Sequence, residues 1–259
     1  VTGPPRDAAA VEIEGSARFV KREILALYDS RHETVPHETR IHKFAEMPLN
    51  WLGLVVYHDV NTPLPEPSAL NRFRGVLTWF AEPLADAARV GRFLDAAATS
   101  GLRYVVLGEV LPGDPSPPQA VVDRLHRHVS LTTTGEYADI TFRARVGARN
   151  PGMVGFERPI DKVIPDFPVT LAAERAQVHL SIETRTRDGD RNAAVVVTGP
   201  GGGYAAQNFT IYYEPSTDRV LWTLNPFQFF KTAFGEQRFP IPDTTTLSGR
   251  RIYFSHIDG

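Results

Sequence analysis

Cysteine is absent from this 259-residue chain. That excludes disulfides, thiolate metal ligands and a cysteine nucleophile together. No uninterrupted apolar run approaches the roughly 18 residues that a membrane-spanning helix needs. Charge of one sign is lacking too: 28 Lys and Arg face 30 Asp and Glu, a formal net charge of -2. Such a balance offers no basic surface for nucleic acid or an anionic membrane. There is no initiator Met and no signal peptide; the opening Val1-Thr2-Gly3-Pro4-Pro5 reads as a linker or a trimmed end. What remains is 42% apolar and 22% charged residues, a composition that buries a sizeable core.

The first half reads as alternating strands and helices. Residues 1–20 are polar and rich in Pro and Ala, a linker. Ile24 to Tyr28 is a buried strand closing on Asp29-Ser30-Arg31. Residues 39–53 have helical spacing, which Pro48 kinks or ends. Leu54 to Tyr57 is a second buried strand, ending at His58-Asp59. Gly75 to Phe80 is a third. Residues 84–99 form the strongest helical pattern, stopped by Gly101. Tyr104 to Leu107 is a fourth strand and closes on Gly108-Glu109, after which a Pro-rich loop takes the place of a helix. Short apolar strands separated by crossovers imply a parallel sheet.

From about 129 to 224 the pattern changes to period two, a β-rich extension. Gln177 to Arg185 and Ala193 to Thr198 flank a hairpin turn at Asp188-Gly189-Asp190. Phe209 to Tyr213 and Arg219 to Leu224 are further strands. Asn225-Pro226 opens a short amphipathic helix that Gly235 stops. The fold class expected is α/β: an open, mostly parallel sheet flanked by helices, with the β-rich extension.

The strand ends supply the candidate site. Asp29, His58, Asp59, Trp79 and Glu109 all sit at or just after the end of an expected parallel strand. Parallel sheets bind ligands along that edge. Three carboxylates and an imidazole suit sugar hydroxyls or a cationic amino sugar, with Trp79 as a stacking face. The plainer reading is that polar residues end strands wherever a chain turns into water.

Other patterns carry less. Gly199-Pro200-Gly201-Gly202-Gly203-Tyr204 follows a strand, but a phosphate cradle must open a helix. A strand pattern follows, so a hairpin or bulged loop is expected; a platform under a sugar ring is the other reading. His32, His37 and His42 span a loop, and His126 and His128 would face opposite sides of a helix. Neither set has metal-ligand geometry, so no cofactor is expected in this chain. The dense aromatics Tyr204, Phe209, Tyr212, Tyr213, Trp222, Phe227, Phe229 and Phe230 are expected in the core.

The last residues, Ile252-Tyr253-Phe254-Ser255-His256-Ile257-Asp258-Gly259, read as a strand delivering an acid to its carboxyl end. With the approach from Pro240 to Arg251 and the run from Trp222 to Phe230, they resemble the opening of the polysaccharide deacetylase domain in Pel-type exopolysaccharide-modifying proteins. The resemblance makes Asp258 the catalytic base of the complete deacetylase domain. A second Asp and a downstream His-x-x-x-His, holding a divalent metal such as zinc, would lie beyond Gly259. Residues 236–259 are then the linker and first strand of that domain. The stretches 20–125 and 190–235 resemble class I glutamine-amidotransferase-like or flavodoxin-like domains, so 21–235 is expected to form one such domain. That enzyme family needs a cysteine at the strand-to-helix elbow, and Gly108-Glu109 supplies neither thiol nor hydroxyl.

Together these imply a non-catalytic scaffold or carbohydrate-binding domain of a periplasmic or secreted exopolysaccharide-processing protein. Its partners would be polysaccharide or the neighbouring catalytic domain, with no nucleic acid and no membrane span. The alternatives are a stand-alone hydrolase using the strand-end pocket, and an interaction module of an export complex.

Overall fold

The computed structural model describes residues 21–160 and 167–235, and the backbone of 246–247 and 250–251. Its elements in chain order begin with β1 (Glu23–Tyr28), α1 (Glu46–Asn50), β2 (Leu54–Asp59), β3 (Phe73–Thr78), α2 (Ala87–Thr99), β4 (Arg103–Leu107) and α3 (Gln119–His128). There follow β5 (Leu131–Tyr137), β6 (Arg145–Arg149), β7 (Pro168–Ala172), β8 (Gln177–Thr186), β9 (Gly189–Gly199) and β10 (Gly202–Ala205). The series ends with β11 (Ile211–Glu214), β12 (Arg219–Trp222), α4 (Pro226–Ala233), β13 (Thr246–Leu247) and β14 (Arg250–Arg251).

Eight strands form one sheet in the order β2-β1-β3-β4-β10-β9-β8-β6. From β2 to β10 every neighbouring pair is parallel; from β10 to β6 every pair is antiparallel. The fold is therefore mixed α/β, with a mostly parallel sheet and a β-rich part. Strands β8 and β9 of the β-rich region are continuous with the parallel half. The pairs β5-β7 and β11-β12 stand as separate two-stranded sheets.

The inner parallel strands β1, β3 and β4 form where the apolar runs are because both faces are covered, whereas β2, expected to be buried, is half-buried or exposed throughout because it lies at the sheet edge. All six residues of β3 and the middle four of β1 are buried. The two faces can be told apart at β10. A Cβ on Gly203 would press on Ala233 and Phe229 of α4, whereas Tyr204 lines a cavity with Val122 and His126 of α3. Successive strand residues point to opposite faces, so α3 and α4 cover opposite sides.

Helix α2 buries Ala87, Val90, Gly91, Leu94 and Ala97, a 3.6-residue stripe. The Asp86 carboxylate caps it by accepting from the Arg89 N–H at 3.0 Å. Gly101, at φ 94°, follows its end as expected. Asn225 caps α4 in the same way, with Pro226 as its first residue.

Two helical expectations change. Over 39–53 the chain makes a π-turn at Ile41–Ala45 and then the short α1. Pro48 has no N–H for the carbonyl four residues back, and the wider turn just before it takes up the mismatch. A helix does follow β4: the loop over 108–118 leads into α3, whose Val121, Leu125 and His126 are buried.

The glycine run makes the turn expected of it. Gly199 pairs with Gly202 across Pro200-Gly201, and β10 returns beside β9. It also slots in parallel to β4. A Cβ on Gly202, at φ 145°, would overlap the Tyr104 carbonyl oxygen. Only glycine lets this strand lie so close to β4.

Candidate functional site

The candidate ring divides into two places. At the ends of β1 and β2, Asp29 and Asp59 are joined by Asn61. Its Nδ2 donates to Asp29 Oδ1 at 2.8 Å and to Asp59 Oδ1 at 3.0 Å. Asp29 is 4% exposed and accepts from the Arg31 guanidinium at 2.5 to 3.1 Å. Burial alone would raise its pKa, but the bonds from Arg31 and Asn61 outweigh it and hold the carboxyl below the usual range. Asp59 also accepts from the Ser30 N–H at 3.2 Å. These acids already have their partners, so the cluster staples two loops together.

His58 is turned away from them. Its Nε2 donates to the Pro63 carbonyl at 3.0 Å. Trp79 is 1% exposed and packs against Phe44 and Trp222, at centroid distances of 6.1 and 5.8 Å. It offers no face to a ligand. The expected convergence of three carboxylates, an imidazole and a stacking indole does not form, because alternate residues at a strand end point to opposite faces.

Glu109 stands elsewhere, past the end of β4. Two adjoining cavities, of about 290 and about 220 Å³, share Glu109, Tyr137, Pro168 and Tyr204 in their walls. The larger is completed by the loop over 110–117, by Gln119, Val122 and His126 of α3, and by Thr133, Gly135 and Glu136 of β5. The smaller reaches Gly108, Phe167 and Gln207. Together they make one cleft at the carboxyl ends of β4 and β10, roofed by β5 and β7.

Several polar groups of this cleft are shaped by their surroundings. Glu109 is exposed at the mouth and has no hydrogen bond or ion pair among the described residues. The surrounding walls strip water from its carboxyl and raise its pKa. His126 is 7% exposed, and its Nδ1 meets the Val122 carbonyl at 2.9 Å. A carbonyl only accepts, so Nδ1 carries the proton and Nε2 keeps its lone pair. Desolvation lowers the imidazole pKa, which keeps the ring neutral. Tyr204 is 1% exposed and lies in the wall shared by both cavities. Burial, and secondarily Glu109 and Tyr137, push its pKa up, so it stays a phenol. Glu136 accepts from the Asp188 N–H at 3.3 Å.

Glu109 is the one member of this cleft that its position at a strand end had marked. His126, Tyr204, Glu136 and Tyr137 come from elements that only the tertiary fold brings to it. A signal for His126 was present: Val121, Leu125 and Val129 recur at four-residue intervals behind Pro118, which marks a helix with His126 beside its apolar stripe.

Two of the other histidines are paired locally. His42 pairs with Glu46, and His128 with Asp95 at 3.0 Å. Among the described residues no three His, Asp or Glu side chains are grouped as a metal ion needs. Asp258 lies outside the described residues. Of the aromatic set, Tyr204, Phe209, Trp222, Phe229 and Phe230 are buried; Tyr212 and Phe227 are half-buried, and Tyr213 is 54% exposed at the β11-β12 hairpin.

No protein-family model matches the chain, and no curated protein matches it. Among solved structures it is similar to the alpha-L-fucosidase isoenzyme 2 from Paenibacillus thiaminolyticus, at 12% identity and a TM-score of 0.45. That match covers 71% of this chain and 29% of the fucosidase, so the chain spans under a third of that protein's length. A similarity of this degree carries nothing about chemistry.

Proposed function

We propose that this chain is a non-catalytic, carbohydrate-binding α/β domain of a polysaccharide-modifying deacetylase, and that its glycan site is the cleft at the ends of β4 and β10. The observation that carries the binding role is the cleft itself, two adjoining cavities that share Glu109, Tyr137, Pro168 and the buried Tyr204 in their walls. Ligand sites are concave and largely apolar or aromatic, with a few polar groups that fix orientation. The surrounding walls suit a sugar ring. Tyr137 and Tyr204 offer aromatic surface, while Ser116, Gln119, Thr133 and Gln207 offer neutral hydrogen-bonding groups.

The strand order β2-β1-β3-β4 supports a flavodoxin-like or amidotransferase-like scaffold for the parallel half. At the elbow after β4, Gly108 takes φ 90° and Glu109 follows, so a carboxyl stands where the amidotransferase-like reading requires a thiol. The deacetylase parentage rests on the resemblance of the run from Trp222 onward. It makes Asp258 the base of a complete catalytic domain, with zinc or a similar ion held by residues other than those described. It also makes the setting periplasmic or secreted and the neighbouring catalytic domain a partner.

The test is a titration of the purified chain with amino-sugar oligomers, followed by amide chemical shifts and by acetate release. Shifts are expected around β4, β10 and α3, with no acetate released whether or not zinc is added. Zinc-dependent acetate release by this chain would overturn the non-catalytic assignment. Shifts confined to the Asp29–Asp59 end would overturn the choice of cleft.

A further inference from the structure

The cleft has a charge character that narrows its ligand, and this step rests on reading it as a glycan site. Its walls hold two carboxylates, Glu109 and Glu136, and the aromatic rings of Tyr137 and Tyr204. His126 adds a ring nitrogen with a lone pair, because its proton is committed to Val122. Among the described residues no Lys or Arg lines either cavity. Glu109 makes no hydrogen bond or ion pair among those residues, and the buried Tyr204 lines both cavities. Two carboxylates among neutral polar groups and aromatic faces, with no cation, disfavour anions and leave the Glu109 carboxylate for a cationic ligand.

We propose that the cleft binds a saccharide unit bearing a free, protonated amine in preference to the same unit with the amine acetylated. The ammonium donates to the Glu109 carboxylate, with Glu136 adding a longer-range attraction. His126 Nε2 accepts from a sugar hydroxyl. The Tyr204 hydroxyl, able to donate and accept, meets the next ring oxygen or hydroxyl. Acetylation removes the charge, and it turns the group facing Glu109 into a bulkier neutral amide. Partial desolvation strengthens the ammonium–carboxylate attraction relative to water.

The experiment titrates the full chain with a glucosamine oligomer and with its fully N-acetylated counterpart, by calorimetry at low salt. The amine form is expected to bind about tenfold tighter or more, the scale of one charge-assisted contact. Glu109→Gln should bring the two affinities within about twofold, chiefly by weakening the amine form. Tyr204→Phe should weaken both ligands together. Near-molar salt should shrink the preference, since partly exposed pairs are screened. Equal affinities in the native chain, or a preference that survives Glu109→Gln, would overturn the inference while leaving the glycan site standing. Failure of both oligomers to bind would bring down the site and the inference together.

Discussion

Arg74 donates from Nη2 to the Gly235 carbonyl at 2.7 Å, joining the middle of the parallel sheet to the end of α4. The same guanidinium reaches the carbonyls of Phe234 and Leu52, each at 3.2 Å. Arg103, one strand over, donates to the Ala233 carbonyl at 3.1 Å. The last carbonyls of a helix have no partner within it, and cations are favoured there. Arg74 is 7% exposed, and burial, with Arg103 nearby, brings its pKa down to about 10. The charge is therefore retained at neutral pH.

Arg74→Met keeps most of the stem and strands three carbonyls. The expected loss is about 2–4 kcal/mol, the scale of leaving buried polar groups unpaired. Urea unfolding of the variant and the native chain measures it. A loss below about 0.5 kcal/mol would mean that other donors or water replace the guanidinium.

Gly202→Ala places a Cβ against the Tyr104 carbonyl at a backbone φ of 145°. Either β10 shifts away from β4 or the residue is strained, by about 1–3 kcal/mol or more. The variant should unfold at lower temperature, and the amides of Tyr104 and Gly108 should exchange faster, because they donate to Gly201 and Ala205. Unchanged exchange at both would show that the close approach is dispensable.

Trp222 is 9% exposed and packs on Trp79 at 5.8 Å. Trp222→Ala should cost about 3–5 kcal/mol, as other large core truncations do. Full stability with lost glycan binding would instead place this ring in the ligand site.

Two buried histidines set a pH dependence. His179 is 1% exposed; its Nε2 meets Thr198 Oγ1 at 2.8 Å, and Asn150 Nδ2 lies 3.2 Å from its Nδ1. Burial lowers its pKa, as it does that of His126. The unfolded chain binds protons at these positions below about pH 6.5, and the native chain does so only at lower pH. Their contribution to stability is present above that pH and is lost as pH falls through the folded values. The urea midpoint should drop between about pH 7 and about pH 5.5, and His179→Gln should flatten the drop. A midpoint constant across that window would refute the neutral burial of both rings.

The parts of the fold legible in the sequence are those where one local pattern decides. Strands β1, β3 and β4 are buried on both faces, so they appear as apolar runs; β2, at the sheet edge, is an apolar run that stays half-buried or exposed. Helices α2 and α4 carry a periodic stripe, a capping Asp86 or Asn225, and a Gly101 or Gly235 after the end. Helix α3 went unread because its stripe is three residues wide and lies behind prolines and among histidines. Strand β10 reads Gly-Gly-Tyr-Ala, with little intrinsic preference for a strand. Its place is decided by how closely it fits between β4 and β9.

By itself the sequence determined the parallel half, the hairpins and the exclusion of thiol chemistry, since these follow from residue type and short-range period. Tertiary structure alone decided the site. Asp29, Asp59 and Glu109 are equivalent in sequence, each an acid at or just past a strand end. In the fold, Arg31 and Asn61 satisfy the first two, while β10, α3 and β5 enclose the third beside Tyr204 and His126. The physical reason is that a carboxyl's chemistry depends on partners and solvent, and both are supplied by segments distant in the chain.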